Sequence, residues 1–231
     1  PPHGRAEVRP AMDFARGEIW QGGTYVLKTA DGGLRESTVS LPPPQEIGGP
    51  WEVRFDPKWG GPKEPTTFAR LSDWKDNADP RIKYYSGTAT YRTEFHFNGP
   101  GPERGKSRVF FLDLGKVAVM AEVRLNGRDL WTLWKPPYCV DVTDALKSDA
   151  NELEIRAVNL WINRLIGDEQ LPEDSDRNAN GTLKSWPEWL AGGKPSPTGR
   201  ITFTTHRLWN KDDAPVESGL IGPVVLMAAE R

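Results

Sequence analysis

Cysteine and histidine are scarce in this chain, with one Cys and three His in 231 residues. The lone Cys139 excludes an internal disulfide. Its place between Tyr138 and Val140, in a strand-like stretch, suits a buried filler. His3, His96 and His206 have no ligand spacing between them, which excludes a zinc site. No apolar run approaches the roughly 20 residues of a membrane span. None at the start resembles a signal peptide, so any export signal would lie elsewhere. Positive charge is thin as well. Thirty Lys and Arg against 32 Asp and Glu leave a net charge of −2, without the basic cluster that nucleic-acid phosphates demand. A Ser-His-Asp order, a phosphate loop and a dinucleotide fingerprint are all missing. Helical periodicity is nearly absent, and there is no internal repeat.

Tryptophan, by contrast, is plentiful, with ten in the chain. A sandwich core has room for only a few rings of that size, so some must lie outside it. The length fits one large all-β domain, or a sandwich with an extension.

Three stretches separate along the chain. Residues 1–47 are rich in Gly and Pro and carry a hairpin, 23–29 returning as 34–41 around Asp31-Gly-Gly33. Pro42-Pro-Pro44 stiffens a linker. The main body, 48–231, opens with Trp51, Val53 and Phe55 alternating with Glu52 and Arg54. A long loop, 56–83, follows. Ala89, Tyr91, Thr93, Phe95 and Phe97 share one strand face, and Gly99-Pro-Gly-Pro102 ends it. Residues 109–114 form a strand. Val117, Val119, Ala121, Val123 and Leu125 mark one face of the next, which turns at Asn126-Gly127, a type I′ hairpin signal, into 128–134. Residues 138–142 make a short strand, and 141–146 a capped single helical turn. Leu153, Ile155 and Ala157 mark another strand, and 201–205 and 222–227 close the set. A polar insertion occupies 172–199. Short strands with Gly and Pro turns predict an all-β, antiparallel two-sheet sandwich, a jelly roll.

The chemistry concentrates where the strand ending at Val158 runs into residues 159–170. Trp161, Asn163, Arg164, Asp168 and Glu169 fall within a dozen residues there, and aromatic planes beside hydrogen-bonding charges are what sugar rings require. The expectation is that this polar loop faces outward and clusters with Trp134 at one end of the sandwich. Asn163 and Arg164 offer amide and fork geometry for vicinal hydroxyls or a carboxylate, with loop capping as the alternative. Asp168 and Glu169 are the nearest approach to a carboxylate pair, but neighbours in sequence often point apart. An ion pair of these acids with Arg164 competes with sugar binding. Trp134 and Trp161 suit either stacking or core packing. Trp186 and Trp189 lie in the insertion, as sugar platforms or as a local mini-core.

Seven pieces then fall in a familiar order. Tyr85-Ser-Gly-Thr-Ala-Thr-Tyr-Arg92, Leu112-Asp-Leu-Gly115, Val123-Arg-Leu-Asn-Gly127, Trp134-Lys-Pro-Pro-Tyr138, Asp141-Val-Thr-Asp-Ala-Leu146, Asn151-Glu-Leu153 and Asn159-Leu-Trp161 resemble the sugar-binding jelly-roll domains of glycoside hydrolases. The likeness is to the C-terminal region of the α-L-rhamnosidase-like family 106 and, more distantly, to the sugar-binding domain of family 2. It implies a galactose-binding-like fold, a polysaccharide or oligosaccharide partner, a catalytic domain in the same parent chain, and an extracellular or periplasmic setting. It also implies a structural calcium as an optional addition, for which Asp113, Asp141, Asp144 and Glu217 are the nearby oxygen donors; no cofactor is required. In family 2 the strand matching 153–158 ends in a loop that reaches toward the catalytic domain. Ser218-Gly-Leu-Ile221 matches a later family 2 segment. Function on this basis is a non-catalytic carbohydrate-binding or accessory module, or alternatively a structural domain that buttresses or completes a neighbouring active site.

Overall fold

The computed structural model describes residues 10–97, 99 and 107–231. His3 and most of the break at Gly99-Pro-Gly-Pro102 lie outside the described residues. Two antiparallel sheets face each other, the expected all-β sandwich. One sheet runs, in order, Arg128–Leu133, Met120–Leu125, Ala150–Val158, Thr88–His96, Trp51–Phe55 and Thr66–Phe68. The other runs Met12–Asp13, Glu18–Ile19, Val225–Glu230, Arg108–Asp113 and Cys139–Asp141, with Gln45–Glu46 also on Val225–Glu230. Segments of 1–47 thus add strands to the second sheet.

Alternation decides which side chains enter the core, because successive residues of a strand face opposite ways. Val53 pairs with Tyr91, Tyr91 with Ile155, and Ile155 with Val123, so one buried row crosses four strands. The next row is Phe55, Ala89, Ala157 and Ala121. Its three small side chains leave volume at that end of the core. The 56–85 connection delivers rings to the space around Phe55: Trp74 at 5.3 Å and Tyr85 at 4.9 Å, both edge-on. The long loop therefore sends selected side chains into the core while most of its residues stay nearer the surface, and it holds the short strand Thr66–Phe68 that its sequence did not announce. Phe110, Leu112, Leu226 and Ala228 close the core from the second sheet. On that sheet's outer face Val109, Phe111 and Ala229 meet Trp20 and Cys139, which is half-buried rather than fully so.

Three expected strands are corrected, the last of them 222–227, which breaks at Pro223 and Val224 between Gly219–Gly222 and Val225–Glu230. The face Val117 to Leu125 is broken, because the chain changes partner partway along. Lys116–Ala118 pairs with Gly219–Gly222, whereas Met120–Leu125 pairs with Ala150–Val158. Val119 sits at the crossover and swings out to 39% exposure, while Val117 and Val123 stay buried. Residues 201–205 form no strand, for a reason given below. The turn at Asn126-Gly127 has φ of 53° and 79°, as a type I′ hairpin requires. Asn126 also acts across the fold. Its Nδ2 donates to Ala145 O and Asn151 Oδ1, and its Oδ1 accepts from Glu152 N.

Gly219 has φ +89°, and a Cβ there would strike the Trp74 indole, whereas Gly127 stands open. In urea denaturation, Gly127→Ala should cost about 1 kcal/mol for the left-handed backbone alone. Gly219→Ala adds a core clash and should cost roughly 3 kcal/mol or more. Equal losses would contradict the packing around Trp74.

Candidate functional site

The residues expected to form an outward polar loop are instead wound into a helix, Ile162–Asp168, that starts as the Ala150–Val158 strand ends. Asn163, Arg164 and Asp168 point inward and are buried, Asp168 at 1% exposure. Each is consumed by a structural bond. Asn163 Nδ2 donates to Ser218 Oγ (2.7 Å) and Val216 O (2.8 Å), and its Oδ1 accepts from Val216 N (2.8 Å). Asn159 adds a third arm to Ser218 Oγ at 3.1 Å, while holding Tyr85 O and Gly87 N. Ser218 N in turn donates to Asp73 Oδ1 at 3.0 Å.

Arg164 Nε lies 2.9 Å from Asp168 Oδ1, one helical turn on. The N–H does not point along that line, so the contact is an ion pair by proximity rather than a straight hydrogen bond. The other oxygen of Asp168 accepts three bonds: Ile201 N at 2.9 Å, Thr202 N at 2.7 Å and Thr202 Oγ1 at 2.7 Å. This explains the missing strand at 201–205, where the amides that would have joined a sheet are committed to a carboxylate. Glu169 faces the other way and pairs with Arg200 (2.9 Å) and Arg207 (3.1 Å).

The expected cluster is thus only partly assembled. Asn163, Arg164, Asp168 and Glu169 share one end of the sandwich but serve as its joinery. Trp161 leaves the group and sets its ring edge-on to Trp59 at 5.1 Å, half exposed. Trp134 follows Leu133, whose partner is Ala121 and, beyond it, Ala157, so register puts it at the same end as Trp161. It is exposed with Lys135 Nζ 5.2 Å over its ring. Trp186 packs on Phe203 at 5.8 Å, as does Trp189 at 5.9 Å, so the insertion carries its own small core. Three buried polar residues of this end gain their roles only in the structure: Asp73, which no motif marks, and Ser86 and Ser218, which the motifs contain without assigning them a part. Sequence reading also passed over Trp131, whose exposure follows from strand geometry described below.

The four acids named for calcium do not converge. Asp141 Oδ1 accepts from Thr143 and its Oδ2 faces Arg231, Asp144 faces Arg128, Glu217 binds Lys116, and Asp113 caps Gly115 N. Among the described residues no group of three or more His, Cys, Asp or Glu gathers. These side chains do not fit a common cation site.

Removing either member of the Arg164–Asp168 pair leaves a buried charge uncompensated. Arg164→Ala and Asp168→Ala should each lower stability by about 3–5 kcal/mol. The double variant should lose less than the sum, a coupling on the order of 1 to 3 kcal/mol by double-mutant cycle. Additive losses would show the pair to be independent.

Comparison with known proteins bears on this architecture. Residues 72–186 match the family described as glycosyl hydrolase 2 galactose-binding domain-like. The chain is 40% identical over 208 residues to a protein of Formosa agariphila provisionally named a β-glucuronidase, a match covering 87% of this chain and 17% of that one. It is also similar to a solved rhamnosidase from Novosphingobium sp. PP1Y. That likeness has 33% identity and a TM-score of 0.63, covering 83% of this chain and 16% of the rhamnosidase. The chain therefore spans about a sixth of the length of the relatives it matches. The matched segment supplies most of the strands of one sheet and two of the other, and it identifies residues 72–186 as a galactose-binding-like domain of the glycosyl hydrolase 2 type.

Proposed function

We propose that this chain is a carbohydrate-binding accessory module of a larger, secreted glycoside hydrolase and has no glycosidase activity of its own. The observation that carries the reading is the state of its carboxylates. Glycoside hydrolysis needs two carboxyls facing one bond, about 5 to 9.5 Å apart with room for a sugar between them. Asp168 is buried under two backbone amides, a hydroxyl and a guanidinium, and Glu169 is held by two arginines. Asp168 faces no cavity, and Glu169 borders only a small one of about 30 Å³, too small for a sugar ring.

Other observations agree. The relatives are named as glycosidases roughly five times the length of this chain, which supports a catalytic partner in the same parent. The likeness to a rhamnosidase supports a family 106-type parent acting on rhamnose-containing polymers. Four indoles, Trp131, Trp134, Trp161 and Trp186, stand partly or largely in solvent, which suits sugar binding better than core packing. No helix among the described residues is long and apolar enough to cross a membrane.

One feature favours a second role alongside this one, that of bracing a neighbour. The hairpin Gly23–Lys28 with Leu34–Val39 pairs only with itself and exposes Val26, Leu27 and Leu34. Apolar side chains on a projecting ribbon suit burial against another domain.

The purified chain should hydrolyse no aryl glycoside, the α-L-rhamnoside and β-glucuronide included, while its tryptophan fluorescence responds to polysaccharide. Turnover that vanishes in a folded Glu169→Gln variant would overturn the non-catalytic assignment. A flat fluorescence titration across all glycans would leave only the bracing role.

A further inference from the structure

We infer that saccharide binds in a cleft between the two sheets' free edges, with Trp131 as its stacking platform. The inference rests on the carbohydrate reading above and names its site. Arg128–Leu133 is the end strand of one sheet and Cys139–Asp141 the end strand of the other. Between them opens a cleft of about 530 Å³, within the range of roughly 300 to 1,000 Å³ typical of small-ligand sites. Phe111 and Cys139, neighbours on the outer face of the second sheet, give it an apolar side, and Arg16, Glu18, Asp141 and Arg231 are among its polar lining.

Trp131 is aimed by a bulge. Glu122 pairs with Thr132 and Arg124 with Asp129, so two steps on one strand answer three on the other. The extra residue lets Leu130 and Leu133 both pack on the core, while Trp131 and Thr132 between them both turn out. Bulges on edge strands re-aim side chains in this way and recur beside binding sites. Trp131 is 72% exposed. The other outward indoles are each engaged, Trp134 by Lys135, Trp161 by Trp59 and Trp186 by Phe203. Among the described residues no ring or cation covers Trp131, so its face is open to a pyranose.

The polar wall is held together by its own ion pairs. Glu18, 1% exposed, accepts from Arg231 through Oε1, at 2.7 Å from Nη2 and 3.1 Å from Nε. Arg231 Nη2 also reaches Asp141 Oδ2 at 3.3 Å, and its guanidinium lies 5.8 Å over the Phe111 ring. Held on three sides, it presents fixed donors, and Asp141 presents a fixed acceptor beside it. Glu18 Oε2 is buried at this wall with no hydrogen-bond partner among the described residues.

Charge narrows the ligand class. Arg16 and Arg231 balance Glu18 and Asp141, so the cleft favours neither an anion nor a cation. Alternating donors and acceptors around an indole suit an uncharged sugar, its C–H face on the ring and its hydroxyls on Arg231 and Asp141. The ring also borders a depression on the outer sheet face, but the charges there already pair with each other, as Arg124 with Asp129 and Arg156 with Glu122.

The test uses the whole chain with neutral galactan, xylan and glucomannan and with anionic ulvan and polygalacturonate, by affinity electrophoresis and calorimetry. Trp131→Ala, checked for fold by circular dichroism, should weaken binding to a neutral glycan about tenfold or more, equivalent to 1.4 kcal/mol. Trp131→Tyr, which keeps a ring, should retain most of the affinity and serves if the alanine variant misfolds. Leu160→Ala, at an exposed apolar side chain outside the cleft, should stay within about twofold, as surface residues outside a hot spot do. If wild type binds and Trp131→Ala binds equally well, the cleft is wrong and the carbohydrate reading stands. If wild type binds no glycan in the panel, both fall. Binding confined to ulvan and polygalacturonate and abolished by salt would overturn the uncharged class.

Discussion

The structure turns on a hydroxyl. Ser218 Oγ accepts from Asn159 and Asn163 and donates to Val216 O at 3.2 Å, while its backbone answers Asp73 and Trp74. Segments from three distant parts of the chain, around residues 73, 160 and 217, therefore meet at one buried point. A polar group buried without partners costs roughly 1–3 kcal/mol, so a knot with several such groups is stable only when every strand of it arrives in register. Its arrival sets Gly219 beneath the Trp74 indole and brings Leu220 N to Tyr91 OH, which also accepts from Trp74 Nε1 at 2.5 Å. Burial pushes the Tyr91 phenol well above its usual pKa, so it stays a neutral partner. Ser218 leads directly into the last two strands, Gly219–Gly222 and Val225–Glu230.

This anchoring explains the division of labour on the surface. Nearly all hydrogen-bonding capacity in the 159–169 segment is spent holding the fold, and what reaches solvent there is mostly apolar, Leu160 and Trp161. A polar-rich run is thus poor evidence for a polar site when several segments must be tied together under it. The opposite edge of the sandwich has a different character. There Glu18, Arg231 and Asp141 join the first and second sheet strands to the seam, yet leave donors and acceptors facing open space. Recognition falls to the edge whose polar groups are not all needed for closure.

The sheets were legible because their residues obey a period of two. Thr88–His96 and Ala150–Val158 alternate without a break, and Asn126-Gly127 permits few other conformations. The helix Ile162–Asp168 was not legible, since its buried face carries Asn163, Arg164 and Asp168 and so has no apolar stripe to read. Ile201-Thr-Phe-Thr-Thr205 misleads for the converse reason. Its β-branched composition suits a strand, but a distant carboxylate takes its amides. Of the named site residues, the exposure of Trp134, Trp161 and Trp186 accords with a turn, a strand end and a polar insertion. The bulge at Trp131 leaves no trace in composition, because it is a property of two strands paired, not of either alone.

The attachment of the insertion to Asp168 has a further consequence. The carboxylate reads mainly backbone at positions 201 and 202, a pair of successive N–H groups, with the Thr202 hydroxyl as a supplement. Any residue except proline can supply such a group. The joint at 201 and 202 is therefore set by geometry more than by spelling, so position 201 can change its side chain without loosening it. The stretch from 172 to 199 is held differently, by particular side chains, with Trp186 and Trp189 on Phe203 and Arg177 on Thr204 O.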